Sequence, residues 1–138
     1  MILKRAVFFL MVVGLVSCGK DTGTIPSVSV NFQAPLTDPR VSAINSVGGV
    51  ALISGYGVAG LIIYHEPDGS YIAYDRCSSY NPQNHCAVTL DASGLTVTDP
   101  CSGSKFSLED GTPVKAPATK ALKTYNAYVY NFQIFVTN

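Results

Sequence analysis

The chain has 138 residues, of which 9 are basic and 9 are acidic, so its formal net charge at pH 7 is zero. Only 13% of the residues are charged, which excludes the basic surface that a nucleic-acid-binding protein needs. The length suits a single domain with one modest hydrophobic core.

The first 17 residues have the layout of a secretory signal peptide. Two basic residues precede an apolar run at residues 6–16, which is shorter than the roughly 18 to 20 residues that cross a bilayer. The run ends in Leu-Val-Ser-Cys, which resembles the lipobox of bacterial lipoproteins. That resemblance implies removal of residues 1–17 and diacylation of Cys18, with the protein held on a bacterial envelope membrane, at the outer membrane or the periplasmic face. An ordinary signal peptide cleaved before a cysteine is the alternative.

The mature chain is expected to begin with a lipid-attached tether, residues 18–26, and to continue as one folded domain, residues 27–138. Small and polar residues dominate the tether. Val28, Val30 and Phe32 then alternate with polar residues, and this period of two predicts a half-buried strand that ends by Pro35.

Three hairpins are predicted in the rest of the chain. Residues 61–65 and 71–74 are rich in β-branched and aromatic residues and flank a Pro-Asp-Gly turn, a combination typical of a hairpin. Residues 88–90 and 95–98 form a second pair, and residues 122–137 form a third around Asn131. Because the mature chain shows no sustained apolar period of 3.6 residues, we predict an all-β fold, a small antiparallel sandwich or barrel.

A glycine-rich segment, residues 46–60, contains a Gly-x-Gly-x-x-Gly match that ends at Gly60. A dinucleotide-binding loop of this pattern has to open a helix, whereas a predicted strand follows here. We therefore interpret these glycines as allowing tight bends and bulges between strands.

Three cysteines remain after Cys18, namely Cys77, Cys86 and Cys101. Export would place them in an oxidising compartment, where a suitably placed pair forms a disulfide, and the residues alone leave the pairing open. Together with His85 they lack the paired spacing of a zinc site, so no metal site is predicted.

No catalytic motif is recognisable, and we predict that the protein is not an enzyme. A Gly-x-Ser-x-Gly nucleophile motif is absent from the sequence. Cys77 with His85 and Asp99 would make a redox or metal-binding thiol, and the favoured alternative is a small buried apolar side chain. Six tyrosines could form an exposed binding patch, although packing within strands is favoured: Tyr71, Tyr74, Tyr80, Tyr125, Tyr128 and Tyr130.

Residues 99–108, continued by residues 110–114 and 117–118, resemble the second cluster-binding loop of Rieske iron–sulfur proteins and the strand after it. In that family the loop reads Cys-Pro-Cys-His-Gly-Ser, where the first Cys and the His bind iron and the second Cys forms a disulfide. This chain has Asp99 and Ser102 at the two ligand positions and Cys101 at the disulfide position.

The first loop of the family reads Cys-Thr-His-Leu-Gly-Cys-x-Val, and residues 81–88 match it best. This alignment puts Asn81 and Gln83 at the ligand positions and Cys86 at the disulfide position. A second alignment instead puts Cys77 at the first ligand position and Ser79 at that of the His. Since a Rieske cluster needs two thiolates and two imidazoles, neither alignment supplies its ligands.

The resemblance implies a Rieske-like fold, a disulfide between Cys86 and Cys101, and a free thiol at Cys77. The family's cofactor is a 2Fe–2S cluster, but because its ligands are missing from the aligned positions of this chain we expect no cofactor. The predicted function is that of a membrane-anchored envelope lipoprotein with a non-catalytic structural or binding role toward an unidentified protein or small molecule. The alternatives are a Rieske 2Fe–2S electron-transfer protein and a thiol–disulfide redox protein that uses Cys77 without a Cys-x-x-Cys pair.

Overall fold

The computed structural model describes residues 23–138. The predicted signal peptide and Cys18 therefore lie outside the described residues. Within the described part the protein has ten β-strands and two short 3₁₀ helices, at Ser42–Asn45 and Pro82–Asn84. The strands are β1 Asn31–Pro35, β2 Val50–Ile53, β3 Leu61–His65, β4 Tyr71–Asp75, β5 Thr89–Leu90, β6 Thr96–Thr98, β7 Lys105–Ser107, β8 Pro113–Lys115, β9 Thr124–Tyr130 and β10 Gln133–Thr137.

The strands form two antiparallel sheets. The larger sheet has six strands in the order β1-β10-β9-β4-β3-β2, and the smaller has four in the order β5-β6-β7-β8. β4 pairs directly with β9, although the whole smaller sheet lies between them in the chain. This architecture confirms the prediction of an all-β fold.

The described residues form two hydrophobic cores, and the second of them joins the two sheets. The first lies on one face of the larger sheet and includes Phe32 and Ile63. The second lies between the sheets, where Ile62 and Tyr74 of the larger sheet pack with Phe106 of the smaller one. Because neighbouring residues of a strand point to opposite faces, β3 contributes to both cores and four of its five residues are buried.

The three predicted hairpins are confirmed as β3–β4, β5–β6 and β9–β10. The first predicted strand begins later than expected, at Asn31, because its partner β10 ends at Thr137. Just before β1, the Val30 amide donates instead to the side-chain oxygen of Asn138, at 3.1 Å.

The glycine-rich segment contains a strand, β2, which the interpretation as bends alone missed. Ala51 and Ile53 of this strand are buried in the first core. Glycines lie on both sides of β2 and mask its short alternating pattern, which is the reason that the sequence did not reveal it.

The described part of the predicted tether, residues 23–26, packs on the domain. Ile25 is buried, and the Lys120 ammonium lies 3.4 Å from the Gly23 carbonyl oxygen. At the first residue of the predicted domain, the Lys123 ammonium donates to the Ser27 hydroxyl at 3.0 Å. The boundary between tether and domain at residue 27 stays a prediction. In residues 23–138 there is no helix of the length and apolar character that crossing a membrane requires.

Candidate functional site

Two loops at one end of the fold correspond to the sequence motifs. Loop 1, residues 76–88, follows β4, and loop 2, residues 99–104, connects β6 to β7. The base of loop 1 is closed by two backbone hydrogen bonds of 2.8 Å, from the Ser78 amide to the Cys86 carbonyl and from the Val88 amide to the Arg76 carbonyl. These bonds place Cys86 beside the start of the loop and direct it toward loop 2.

A disulfide between Cys86 and Cys101 joins the two loops, with the Cα atoms 6.3 Å apart. This pairing is the one that the Rieske resemblance implies, and the structure confirms it. Cys77 is buried and free, as expected. The residues alone left open which two of the three cysteines pair, and the structure shows that Cys86 pairs with Cys101.

Loop 2 is held by a buried carboxylate at the first of its two ligand positions. Asp99 accepts the Cys101 amide on Oδ1 at 2.8 Å and the Ser102 hydroxyl on Oδ2 at 2.6 Å. The Ser102 oxygen lies 2.9 Å from that of Ser104, which accepts the Ala118 amide at 2.9 Å. The residues at the two ligand positions thus bond to each other and close the loop on itself.

Loop 1 presents its predicted ligand positions differently. Asn81 has a left-handed backbone with φ of 48°, and the 3₁₀ turn that follows leaves Gln83 exposed. Within residues 23–138, neither of these side chains is hydrogen-bonded to Asp99 or Ser102. His85 is also exposed and left-handed, with φ of 50°. This loop does not bring an imidazole to loop 2.

Cys77 and Ser79 of the second alignment lie deeper in the loop. The Cys77 sulfur is 3.5 Å from the Pro82 carbonyl oxygen, and the Ser79 hydroxyl donates to the Lys120 carbonyl at 2.6 Å. Burial above all, and then the charges of Asp75 and Asp99, raise the pKa of the Cys77 thiol to about 11. The thiol is therefore protonated at neutral pH and is a poor nucleophile.

A second buried carboxylate, Asp75 at the end of β4, was missed by the sequence analysis. It accepts the amides of Val58, Ala59 and Cys77 at 2.6, 3.1 and 2.8 Å, and the Tyr125 hydroxyl at 2.8 Å. A Cβ atom on Gly57 would lie 2.4 Å from Asp75 Oδ2, so this glycine is required where it stands. With four donors satisfied, Asp75 fixes the loop before β3 and the start of loop 1, and it has no free lone pair to offer a substrate.

The residues of the two loops do not fit a 2Fe–2S cluster. Such a cluster needs two thiolates on one iron and two imidazoles on the other. Among residues 23–138, the three potential ligand atoms that come within 4.8 Å of one another belong to Cys86, Asp99 and Cys101, and both of these cysteines form the disulfide. The Asp99 carboxylate already accepts two hydrogen bonds within its own loop.

Comparison with known proteins shows the fold. Among solved structures, the cyanobacterial plasma membrane Rieske protein of Synechocystis PCC 6803 superimposes with a TM-score of 0.55 at 20% identity, over 81% of this chain and 100% of that one. A chain of the complex of oxygenase and ferredoxin in carbazole 1,9a-dioxygenase gives a TM-score of 0.52 at 20% identity, over 78% and 93%. No protein-family model and no curated protein matches the chain. The fold is therefore that of Rieske proteins.

Proposed function

We propose that this protein is a cluster-free Rieske-like domain, anchored through Cys18 to a membrane of a bacterial cell envelope, with a non-catalytic structural or binding role. The disulfide links the two loops in place of a metal, and hydrogen bonds within each loop hold its shape. The proposal has no enzymatic step and no cofactor.

The observation that carries this proposal is the bond between Asp99 and Ser102. In a cluster-binding loop these two positions have to direct a thiolate and an imidazole outward to iron. Here the hydroxyl of Ser102 donates to the carboxylate at 2.6 Å, and Asp99 is fully buried. A buried carboxylate that is satisfied within its own loop stabilises the loop in a metal-free form.

The thiol of loop 1 supports a non-catalytic role. A thiol–disulfide enzyme needs an accessible thiol with a lowered pKa, whereas Cys77 is buried and its pKa is raised to about 11. An electron-transfer role would require the cluster whose ligands the loops lack. The similarity of the fold to that of Rieske proteins is the one observation that supports an electron-transfer role.

Iron and acid-labile sulfide in full-length protein purified without oxygen test the proposal. We expect neither, and no visible absorption after reduction or oxidation. Two iron and two sulfide atoms per chain would overturn the proposal and establish the electron-transfer alternative. A matched control is the Asp99→Asn variant, since the wild type and this variant should have the same baseline iron content if no cluster is bound.

A further inference from the structure

The first described residues of the chain pack at the end of the domain that carries loop 1. Gly23 lies against the ring of Pro82 in loop 1, so closely that a Cβ atom at residue 23 would have no room. Two residues further on, Ile25 is buried. The chain is therefore in contact with the domain from Gly23 onward, only five residues after the predicted lipid attachment at Cys18.

A small pocket lies between this N-terminal segment and the residues that precede β9. It has a volume of about 310 Å³ and is lined by residues 23–25, Ser79, Lys120, Ala121 and Lys123. Among these described residues two are basic and none is acidic. We call this feature the lysine pocket. Its charge is that of a site for an anionic group.

Hydrogen bonds to the main chain hold both lysines of the pocket in place. The Ser79 hydroxyl donates to the Lys120 carbonyl oxygen at 2.6 Å, and the Asp75 amide donates to the Lys123 carbonyl oxygen at 2.8 Å. One lysine is thus fixed by loop 1 and the other by the end of β4. The two positive charges are attached to ordered backbone beside loop 1.

The ammonium groups of both lysines lie against the N-terminal segment. The Lys120 ammonium is 3.4 Å from the Gly23 carbonyl oxygen, and the Lys123 ammonium donates to the Ser27 hydroxyl at 3.0 Å. The segment that continues toward the lipid therefore forms one wall of the lysine pocket. Whatever surface the segment is anchored to lies on the pocket's side of the domain.

The acidic residues around β4 do not present their charge at this end of the domain. Asp75 is buried, and its carboxylate accepts four protein donors. Glu66 and Asp68 belong to the turn before β4, at the other end of a strand that extends about 17 Å. The segment from Cys18 to Thr22 contains one basic and one acidic residue, Lys20 and Asp21, and so adds no net charge.

The proposed anchor brings the lysine pocket to the surface of the bilayer. The five residue steps from Cys18 to Gly23 span at most about 18 Å. Acyl chains on Cys18 would lie in the leaflet, so the chain enters the domain from the headgroup layer and reaches the pocket first. The tether is short enough for the two lysines to contact headgroup phosphates.

We infer that the lysine pocket binds the phosphate group of an anionic phospholipid in the leaflet that holds Cys18. Lysine binds phosphate as a point charge, and each basic residue beside an anionic leaflet strengthens attachment about fivefold. Free phosphate has similar chemistry, but only the lipid is brought to the pocket by the anchor. The inference rests on the proposed function and adds an orientation, with loop 1 facing the bilayer and Glu66 and Asp68 facing away.

Lysine acetylation, followed by peptide mass spectrometry, tests this inference on the full-length lipidated protein reconstituted in vesicles. Vesicles of phosphatidylcholine are compared with vesicles of phosphatidylcholine and phosphatidylglycerol. With phosphatidylglycerol present, Lys120 and Lys123 should react about threefold to tenfold more slowly, because the bound phosphate shields both amines. Lys115 is the internal control, since it is exposed on β8 outside the pocket and should react equally in both kinds of vesicle.

Lys123→Gln distinguishes a site from a general attraction of positive charge. This variant should lose most of the protection of Lys120, because a single ammonium holds the phosphate less tightly. The matched variant Lys115→Gln removes the same charge outside the pocket and should leave the protection of Lys120 unchanged. Equal effects of the two substitutions overturn the inference.

Equal reaction rates of Lys120 in the two kinds of vesicle, with the protein retained on both, also overturn the inference. The same holds if inorganic phosphate added to phosphatidylcholine vesicles protects both lysines as well as phosphatidylglycerol does, since the site would then take free phosphate. Protein that is retained on neither kind of vesicle contradicts the anchoring at Cys18 and the inference with it. Retention therefore separates a failure of the proposed anchor from a failure of the pocket.

Discussion

At the scale of single residues, two buried carboxylates organise the loops. Asp75 receives donors from residues that are 17, 16 and 50 positions away in the chain as well as from Cys77. A sequence window around Asp75 contains none of those distant donors, which is why its role could not be predicted. Asp99, in contrast, bonds within three residues, and its place in a recognisable loop pointed to it from the sequence.

The protonation of Cys77 gives a prediction for stability at high pH. The pKa of this thiol is about 11 in the folded protein against 9.0 for an ordinary cysteine. Because the folded state holds the proton more tightly, the contribution of Cys77 to stability is complete below pH 9 and is lost as the pH rises to about 11. We expect this loss to be about 2 kcal/mol of the free energy of unfolding.

Urea unfolding of the wild type and of Cys77→Ala at pH 8, 9, 10 and 11 is the measurement. The variant should lose less stability over this range. Tyrosine ionisation is shared by both proteins, apart from Tyr125, whose pKa is raised first by burial and by Asp75 in both and only last by the Cys77 charge. Identical pH profiles would show that the Cys77 thiol has an ordinary pKa in the folded protein.

At the scale of structural elements, the strands next to strong turns and the alternating β1 were predictable, whereas β2 was not. Residues 66–70 and Asn131 mark two hairpins by their turn chemistry, and both hairpins form. β2 has glycines on either side in place of a defined turn, and only pairing with β3 identifies it as a strand. The turn at Asn131 was predicted, but the left-handed Phe132 was not, because no local rule places phenylalanine there.

The disulfide between the loops leads to a second prediction. Cys101→Ser should lower the free energy of unfolding by about 3 kcal/mol, the chain-entropy value for a separation of 15 residues. Cys101 is exposed, so the substitution removes little packing. Cys77→Ser leaves the disulfide intact and is expected to cost less.

Denaturant unfolding of Cys86→Ser, Cys101→Ser and the double variant measures the effect. All three should lose about the same stability, since either single substitution already breaks the disulfide. A double variant that is less stable than both single variants by their summed losses would contradict the role of the disulfide. Peptide mapping without reduction should recover the Cys86–Cys101 crosslink from the wild type.

At the scale of the whole molecule, the anchor proposed at Cys18 leads to a third prediction. Mass spectrometry of the mature N-terminal peptide should find Cys18 as the first residue and carrying acyl chains. Cys18→Ser should lower the share of the protein in the membrane fraction, because the substitution removes the acyl chains that would hold the protein on a bilayer. An unmodified Cys18 in protein recovered from membranes is the contrary result.

The direct pairing of β4 with β9 has a consequence for how such a domain can change. The chain leaves the larger sheet after Asp75, forms the segment of residues 76–123, and returns at Thr124 in the strand that pairs with β4. The strands of the larger sheet therefore hydrogen-bond to each other without a strand from that segment between them. Both loops belong to that segment. Substitutions in these loops therefore need not disturb the register of the six strands, and the Cys86–Cys101 disulfide joins the two loops independently of that register.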